Sequence, residues 1–298
     1  MPNKLIVILG PTASVKSDLA IKLAQRFNGE IVSADSRQVY KGMDIGTGKI
    51  TKKEMKGIPH HLLDVVLPKR KFSVAQYQKL AIEAINKILK NKKIPFLVGG
   101  SPFYLYSIIE EWQFPKLKPD WKLRKKLEKK SAKELFEILK KLDPRRAKII
   151  EKHNKRRIIR AIEIAKKIGK VLKLEKKPQF DCLIIGIKKP KEELKKLIEK
   201  RLLKRLNKVL INEVKKLKKQ GVSWKRLESF GLEYRWVAYY LQNKITYQEM
   251  IEKLQKDIEH FAKRQMTWFK KDKRIKWITP IHYPYRYVEK LLRDFLKN

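Results

Sequence analysis

The stretch from Leu5 to Ser17, LIVILGPTASVKS, constrains the fold of this chain more than any other. A continuous apolar run ends at Gly10, a turn-prone segment follows, and a helical pattern begins after Lys16 and Ser17. A strand, a loop and a helix start in this order are typical of a phosphate-binding loop, whose backbone N–H groups point at an anion. Lys16 would add a compact positive charge there, and the hydroxyl of Ser17 can hold a magnesium ion.

Val15 departs from the phosphate-loop pattern G-x-x-x-x-G-K-[ST], which has a second glycine at this position. A β-branched residue is an outlier at positive φ, and its side chain limits how closely a phosphate can approach. The alternative is an ordinary strand, turn and helix with a lysine in the first helical turn. The loop alone leaves both interpretations open.

The composition and the charge limit the class of protein. Hydrophobic residues make up 43% of the 298 residues, which is typical of a globular protein and excludes a disordered polycation. The formal net charge is +43, which favours a polyanionic partner, nucleic acid before membrane. The alternative is that many of the lysines simply cover solvated helix faces.

The sequence also limits the compartment and the kinds of site. Cys182 is the only cysteine, so there is no disulfide framework and no cysteine-based zinc site, and we expect this thiol to be a small buried hydrophobe. The N-terminal apolar run is too short for a signal peptide, and no apolar stretch approaches the ~20 residues that span a bilayer. We therefore expect a cytoplasmic protein with no membrane contact.

Short apolar runs predict the strands of a buried parallel sheet. They cover residues 4–9, 30–34, 94–98 and 181–187. Asp35 directly follows the second run, and Gly99-Gly100-Ser101 follows the third. Because ligands in open parallel sheets bind beyond the carboxyl ends of the strands, we expect Asp35 to face the same crevice as the phosphate loop.

Residues from about 116 to 180 differ from the rest in being helical in pattern and heavily basic. Ser131-x-x-Glu134 is a capping box, and Asp143-Pro144 predicts an N-cap with proline at the first helical position. One apolar stripe consists of Leu123, Leu127, Leu135, Ile138 and Leu142. We therefore expect an inserted helical subdomain or lid at 116–180, within a core formed by 1–115 and 181–298.

Helices also dominate the last third of the chain. A long amphipathic helix is predicted from Lys191 to Gln220, with Gly221 as its C-terminal cap. A further helix begins with the capping box Thr246-x-x-Glu249. The apolar residues of the long helix are Leu194, Leu197, Ile198, Leu202, Leu206, Val209 and Leu217.

Several segments in register carry a resemblance to a known family. They are GPTASVKS (10–17), DSRQVYKGMDIGTGK (35–49), PHHLLD (59–64), FSVAQY (72–77), VGGSPFY (98–104), FGLEYR (230–235) and AKRQMTWF (262–269). Taken together, in this order and spacing, they resemble the tRNA dimethylallyltransferase family, in its bacterial form without a C-terminal zinc finger. The resemblance spans almost the whole chain.

The resemblance implies a phosphate-loop α/β fold, a three-layer α/β/α core with a parallel sheet, an inserted helical lid and C-terminal helices. It implies transfer of a dimethylallyl group from dimethylallyl diphosphate to N6 of the adenosine beside the anticodon of tRNA, with Mg²⁺ assisting. The sequence does not indicate the oligomeric state, for which a monomer is the simplest expectation. The diphosphate of the donor would lie on the phosphate loop, made of Gly10, Pro11, Thr12, Ala13, Ser14, Val15, Lys16 and Ser17.

The resemblance also implies roles for individual residues. Asp35 matches the general base, with Lys16 and Ser101 completing the catalytic set, and Ser17 matches the residue that holds the metal. Ser101 stands where the family usually has threonine, and it keeps the hydroxyl. The residues that match tRNA-facing positions are Asp35, Ser36, Arg37, Gln38, Ser101, Arg124, Arg156, Arg157, Arg160, Arg235, Lys263, Arg264 and Gln265.

Other side chains have simpler expected roles. A target base drawn from its stack would need planar partners, for which the candidates are Tyr40, Phe103, Tyr104, Arg37 and Arg235. His60 and His61 are expected to anchor a loop by hydrogen bonds, since a His pair without a third ligand is not a metal site. Trp268 and Phe269 are expected in the core, with the neighbouring cations outside.

Two rival functions fit part of the same pattern. A small-molecule kinase on the same fold would share the loop, the aspartate after the second strand and a basic lid, but it would consume ATP. A tRNA-binding homologue that has lost turnover would explain Val15 as damage to the loop. Whether the protein consumes ATP or binds an allylic diphosphate distinguishes the kinase from the transferase.

Overall fold

The structure is a computed structural model that describes residues 3–115, 117–171, 175–206, 209–279 and 285–297. Within these ranges six parallel strands form one sheet in the order β3-β2-β4-β1-β5-β6. The strands are β1 (Asn3–Leu9), β2 (Gly29–Ala34), β3 (His60–His61), β4 (Ile94–Gly99), β5 (Phe180–Ile187) and β6 (Lys276–Ile278). The four runs predicted from the sequence are therefore confirmed as β1, β2, β4 and β5.

The helices lie between these strands and after the last of them. In chain order they are α1 (Lys16–Arg26), α2 (Lys52–Met55), α3 (Val74–Lys90), α4 (Pro102–Ile109), α5 (Trp121–Glu128), α6 (Ala132–Leu142), α7 (Pro144–Ile149), α8 (Lys155–Ile168), α9 (Lys191–Leu206), α10 (Val209–Lys219), α11 (Trp224–Phe230), α12 (Leu232–Leu241), α13 (Tyr247–Phe269) and α14 (Tyr285–Lys297). The α/β class predicted from the sequence is confirmed.

Both faces of the sheet are covered. On one face Ile6 and Ile8 of β1 pack with apolar residues of α1 and α14. Leu5, Val7 and Leu9 alternate with them along the strand and are equally buried. A strand whose two faces both lie in the core is typical of a parallel sheet between two layers of helices.

The chain divides into two compact units, Trp112–Lys177 and the remainder, where the composition predicted an insertion at 116–180. In the insertion Leu127 and Leu135 are buried, and the other members of the predicted stripe pack partly buried against the same cluster. Leu139, which the stripe omitted, is fully buried as well. The predicted caps at Ser131 and Asp143 are confirmed.

The predicted helix over 191–220 corresponds to α9 and α10, and residues 207 and 208 lie outside the described ranges. Ile198, Leu202 and Leu206 are buried as expected, but Val209 is half exposed, so its place in the stripe is wrong. Gly221 has a φ of 83° just beyond α10, which confirms the predicted C-terminal cap. The capping box that begins α13 at Thr246 is also confirmed.

No helix in the described part of the chain is both long enough and apolar enough to cross a membrane.

A buried ion cluster holds the insertion together. Glu163 of α8 is fully buried; its carboxylate accepts hydrogen bonds from the Arg124 guanidinium at 3.0 and 2.7 Å, and from the guanidinium of Arg160. The backbone N–H of Asp120 donates to the same carboxylate. Although burial raises the pKa of Glu163, the hydrogen bonds from Arg124 and Arg160 outweigh it and hold that pKa at about 2.

We expect Glu163→Gln to lower the free energy of unfolding by about 3 kcal/mol, because two half-buried guanidinium groups lose their counter-charge. Since the folded-state pKa lies below the usual 4.5, the carboxylate stabilises the fold fully above pH 4.5, and this contribution is lost as the pH falls through about 2. Thermal unfolding between pH 2 and 7 measures both effects. Glu137→Gln, at an exposed position of α6, is the control; equal unfolding midpoints of the two variants at pH 7 would contradict the prediction.

Candidate active site

Three loops that follow neighbouring strands form the candidate active site. The phosphate loop (residues 10–17) follows β1, the Asp35 turn (residues 35–38) follows β2, and Ser101 follows β4. Because β2, β4 and β1 are adjacent and parallel, their carboxyl ends lie at the same edge of the sheet. Asp35 therefore lies on the edge that carries the phosphate loop, as the sequence led us to expect.

The phosphate loop contains two non-glycine residues in the left-handed region. Val15 has a φ of 57° and precedes the first turn of α1, and Ala13 has a φ of 60°. Such a conformation costs roughly 1–2 kcal/mol for a residue with a Cβ. The Val15 side chain is 46% exposed, so it is not packed inside the loop. The valine thus keeps the backbone conformation that the missing glycine would adopt more easily.

Gly10 begins the loop where β1 and β5 are close together. A Cβ at this position would lie 2.7 Å from the carbonyl oxygen of Ile187 and 3.0 Å from the Ser14 Oγ. The Ser14 hydroxyl is buried and donates to the carbonyl of Pro11 at 2.8 Å. The start of the loop is therefore closed by backbone contacts that leave no space for a side chain.

Lys16 turns back over the phosphate loop. Its Nζ donates to the carbonyl of Pro11 at 2.6 Å and to the Ser14 Oγ at 3.4 Å. The pKa of Lys16 is lowered to about 8, mainly by burial and also by the positive charge of Arg201, while Asp35 acts in the opposite direction. A lysine desolvated beside a second cation favours binding of an anion that would restore its full charge.

The Asp35 turn is fixed by its own carboxylate and by Ser101. The Asp35 Oδ1 accepts from the backbone N–H groups of Arg37 at 2.8 Å and Gln38 at 3.2 Å. The N–H of Ser36 donates to the Ser101 Oγ at 3.0 Å, which links the loops after β2 and β4. In the described ranges no donor contacts the Asp35 Oδ2, so this oxygen is available to accept a proton.

Gln265 of α13 joins the phosphate loop to the end of β4. Its Oε1 accepts from the N–H of Thr12 at 3.0 Å, and its Nε2 donates to the carbonyl of Gly100 at 2.6 Å. The side chain is buried, with 3% of its surface exposed. The prediction that Gln265 contacts tRNA is therefore wrong, because both ends of its amide hold backbone groups inside the protein.

The remaining residues of the Asp35 turn are tied to other loops. The Arg37 Nε donates to the carbonyl of Phe230 at 2.8 Å, and burial lowers the pKa of this guanidinium. The Gln38 Nε2 donates to the carbonyls of Thr47 at 3.4 Å and Gly48 at 3.2 Å. Both side chains thus hold neighbouring loops in place around the crevice, a role that the sequence did not indicate.

Two arginines that the sequence analysis missed lie beside this site. Arg201 and Arg205 of α9 pack with their guanidinium groups against Gly48. Burial lowers the pKa of Arg205 to about 10, and it lowers the pKa of Arg201 as well. The available signal was two arginines four residues apart in a helix whose other cations are lysines, a spacing that places both on one face.

The basic residues predicted to face tRNA fall into two groups. In the first group are arginines paired with an acidic side chain. Arg124 and Arg160 bind the buried Glu163, a structural role that the sequence did not reveal. Arg235 also belongs to this group, since its Nη1 lies 3.8 Å from the Asp257 Oδ2. Exposed positions are occupied by Arg156, Arg157, Lys263 and Arg264, and contact of these side chains with tRNA stays a prediction.

The aromatic predictions are corrected in part. Tyr40 and Tyr104 are 4% and 6% exposed and pack in the interior, so they are wrong as stacking partners for a base. Phe103 is 44% exposed and lies 5.1 Å from the ring of Trp268. Trp268 is 38% exposed, so its expected core position is wrong, whereas Phe269 is fully buried as expected.

The histidines form hydrogen bonds as predicted, whereas the cysteine is less buried than predicted. The His60 Nδ1 lies 2.8 Å from the carbonyl oxygen of Ile58, and the His61 Nε2 lies 2.7 Å from the Glu30 Oε2. Cys182 is half-buried, and burial raises the pKa of its thiol to about 12. Among the described residues, no group of three His, Cys, Asp or Glu side chains is placed to hold a metal ion.

We expect binding of inorganic diphosphate to the full chain to weaken as the pH rises above about 8. In the free protein Lys16 loses its proton near that pH, whereas a bound anion would keep the amine protonated; affinity therefore falls by up to about tenfold per pH unit. Calorimetry from pH 6.5 to 9.5 measures the affinity for diphosphate of the parent and of Lys16→Met, and the difference between the two proteins at each pH gives the contribution of Lys16. Parallel profiles of the two proteins would contradict the prediction.

Comparison with known proteins identifies the family. A family profile described as IPP transferase matches residues 38–272. The tRNA dimethylallyltransferase of Carboxydothermus hydrogenoformans is 42% identical over 287 residues, which cover 93% of this chain and 92% of the relative. The tRNA dimethylallyltransferase 1 of Syntrophus aciditrophicus is 43% identical over 279 residues, with 92% of each chain covered.

Solved structures give the same result for the fold. The full-length tRNA isopentenylpyrophosphate transferase of Bacillus halodurans is 35% identical, with a TM-score of 0.74 over 99% of this chain and 96% of that one. A eukaryotic dimethylallyltransferase acting on tRNA is 25% identical, with a TM-score of 0.81 over 99% of this chain and 80% of that one. The resemblance carried by the motifs is confirmed, and the chain belongs to the IPP transferase family.

Proposed function

We propose that this enzyme transfers a dimethylallyl group from dimethylallyl diphosphate to N6 of the adenosine 3′-adjacent to the anticodon of tRNA. The observation that carries the proposal is the shared sheet edge, where the phosphate loop with Lys16 lies beside the strand end that carries Asp35. The relatives are named tRNA dimethylallyltransferases, which supports the transferred group and the tRNA.

Asp35 is suited to accept the proton of the adenine amino group. The lone pair of that nitrogen is delocalised into the ring, so loss of its proton as the C–N bond forms assists the attack. A positioned carboxylate contributes typically 10²–10⁴-fold to such a step. The two backbone N–H groups on Oδ1 fix the orientation of the carboxylate and leave Oδ2 as the accepting atom.

The cations on the other side of the crevice are suited to the leaving group. The C–O bond to the diphosphate breaks as the new C–N bond forms, and negative charge develops on the departing oxygen. That negative charge would be stabilised by Lys16, by the loop N–H groups and by Arg201, whose positive charge also acts on Lys16. The proton lost from nitrogen passes to Asp35, so the step balances without a further reactant.

We further propose that Mg²⁺ accompanies the diphosphate. Mg²⁺ typically takes one or two oxygen ligands from a protein and shares the rest with phosphates and water. The exposed hydroxyl of Ser17 fits such a shared shell, and the described residues offer no cluster of carboxylates for a shell made by protein alone. When bound, Mg²⁺ would neutralise charge on the departing diphosphate.

For the nucleic acid, we propose that exposed cations contact tRNA phosphates, which supply affinity and orientation without choosing the base. Lys263 and Arg264 on α13 and Arg156 and Arg157 on α8 are placed for this by their exposure. The net charge of +43 predicts a steep fall of tRNA affinity with salt. A cytoplasmic monomer is the simplest form of such an enzyme.

The direct test is incubation of the purified protein with unmodified tRNA and labelled dimethylallyl diphosphate. The expected product is N6-prenylated adenosine beside the anticodon, with release of diphosphate and no consumption of ATP. ATP-dependent phosphorylation of a small molecule would favour the kinase alternative. Tight tRNA binding without product would favour the impaired homologue.

We expect Asp35→Asn to lower kcat about a hundredfold or more while the affinity for tRNA stays near that of the parent. An asparagine still accepts the N–H groups of Arg37 and Gln38, so the turn is kept and the proton acceptor is lost. Single-turnover assays and filter binding measure the two quantities. An equal loss in tRNA binding would assign Asp35 to recognition.

We expect Val15→Gly to lower the KM for the prenyl donor, because glycine adopts the left-handed conformation without strain and leaves more room for a phosphate. Ala13→Gly is the matched control, since Ala13 has nearly the same φ but no branched side chain. Steady-state kinetics at saturating tRNA measure the KM. If Val15→Gly leaves donor binding and rate unchanged, valine does not limit the loop.

A further inference from the structure

A glutamate of α10 holds the glycine-rich loop over residues 42–49 by its backbone. The Glu213 Oε2 accepts from the N–H groups of Asp44 and Ile45, each at 2.7 Å. Its Oε1 accepts from the N–H of Gly46 at 3.1 Å and from the Tyr234 hydroxyl at 2.8 Å. One carboxylate thus satisfies three consecutive backbone donors, which fixes the loop as a rigid turn.

Other contacts hold the same loop from its two sides. The ring of Tyr234 packs against Gly46, where a Cβ would lie 2.7 Å from the ring. The Lys49 Nζ donates to the carboxylates of Asp44 and Asp64, each at 2.6 Å, and to the carbonyl of Tyr40 at 2.8 Å. The position of the backbone between Asp44 and Lys49 is therefore closely determined.

Gly48 connects this loop to the two arginines beside the active site. A Cβ on Gly48 would overlap the guanidinium groups of both Arg201 and Arg205, so the bare glycine backbone forms the surface on which they lie. On its other side the Arg205 Nη1 lies 3.6 Å from the buried carboxylate of Glu233. The loop and Glu233 together leave the arginines little freedom of orientation.

We propose that Glu213 is a positioning residue for the diphosphate of the prenyl donor. It acts through the loop backbone: the carboxylate holds residues 44–46, and these position Gly48. The Gly48 carbonyl accepts from Gln38 of the Asp35 turn at 3.2 Å, and the guanidinium of Arg201 lies against Gly48 on this side of the crevice. The proposal rests on the proposed function, because it takes the anion held by Lys16 to be the donor diphosphate.

The test compares binding of inorganic diphosphate to the full chain and to its variants. Glu213→Ala removes the acceptor of three N–H groups, so we expect the loop to shift. The arginines would then be misplaced, and the affinity for diphosphate would fall about tenfold or more. Glu213→Gln keeps an amide oxygen as acceptor and loses less. Glu199→Gln removes an exposed charge from α9 and should bind diphosphate as the parent does.

Gly48→Ala is a second variant, which keeps Glu213 itself and changes the loop at the point where the arginines lie; its φ of 58° adds backbone strain there. Its Cβ would push the two guanidinium groups away, so we expect the loss of diphosphate affinity to resemble that of Glu213→Ala. If Glu213→Ala does not fold, Gly48→Ala decides the matter. Parent-like diphosphate affinity in Gly48→Ala would overturn the proposal.

Steady-state kinetics separate positioning from simple stability. Positioning raises the KM for the donor in Glu213→Ala and leaves the KM for tRNA within about twofold, as expected for loss of an interaction with one substrate. If Glu213→Ala lowers the unfolding midpoint but leaves the donor KM of the folded protein unchanged, Glu213 has only a structural role and the proposal is overturned. A parent that binds no diphosphate would instead overturn the proposed function.

Discussion

Parallel pairing of β2, β4 and β1 is the constraint on which the site depends. It brings three strand ends to one edge of the sheet, although their loops lie far apart in the chain. The pairing is unusually close at the end of β4, where a Cβ on Gly99 would overlap the backbone of Ala34. Asp35 directly follows Ala34, so the strand contact and the position of the carboxylate are set together.

The sheet edge alone does not fix the loops, and side chains from elsewhere in the chain connect them. Gln265 joins the phosphate loop to the end of β4, and the Ser101 hydroxyl joins that end to the Asp35 turn. Arg37 and Gln38 extend the connections to Phe230 and to the glycine-rich loop. The crevice is thus a set of short backbone segments fastened to one another by buried polar side chains, each of which is costly to remove.

Periodicity and capping motifs predict much of this fold, because they depend on local physical chemistry. The buried strands, the helix after Lys16 and the caps at Ser131, Asp143 and Thr246 are of this kind. The position of Asp35 also follows, since a residue directly after a parallel strand lies at the carboxyl edge whatever surrounds it.

What the sequence could not supply is the direction and partner of individual polar side chains. Gln265 lies in a basic segment, which predicts a surface position, yet its side chain is buried between two backbone groups. Arg201 lies among solvated lysines of α9, and only the packing of that helix against Gly48 brings it to the site. Trp268 is apolar but exposed, because exposure depends on which face of α13 meets its neighbours.

The desolvated amine of Lys16 has a consequence for the energetics of binding. Near pH 8 part of the protein population carries this amine uncharged, and an incoming polyanion would draw a proton from solution. The measured heat of association then includes the ionisation enthalpy of whatever buffer supplies that proton. Titrations in two phosphate-free buffers of different ionisation enthalpy would therefore differ in enthalpy while giving the same affinity, and the difference would give the number of protons taken up.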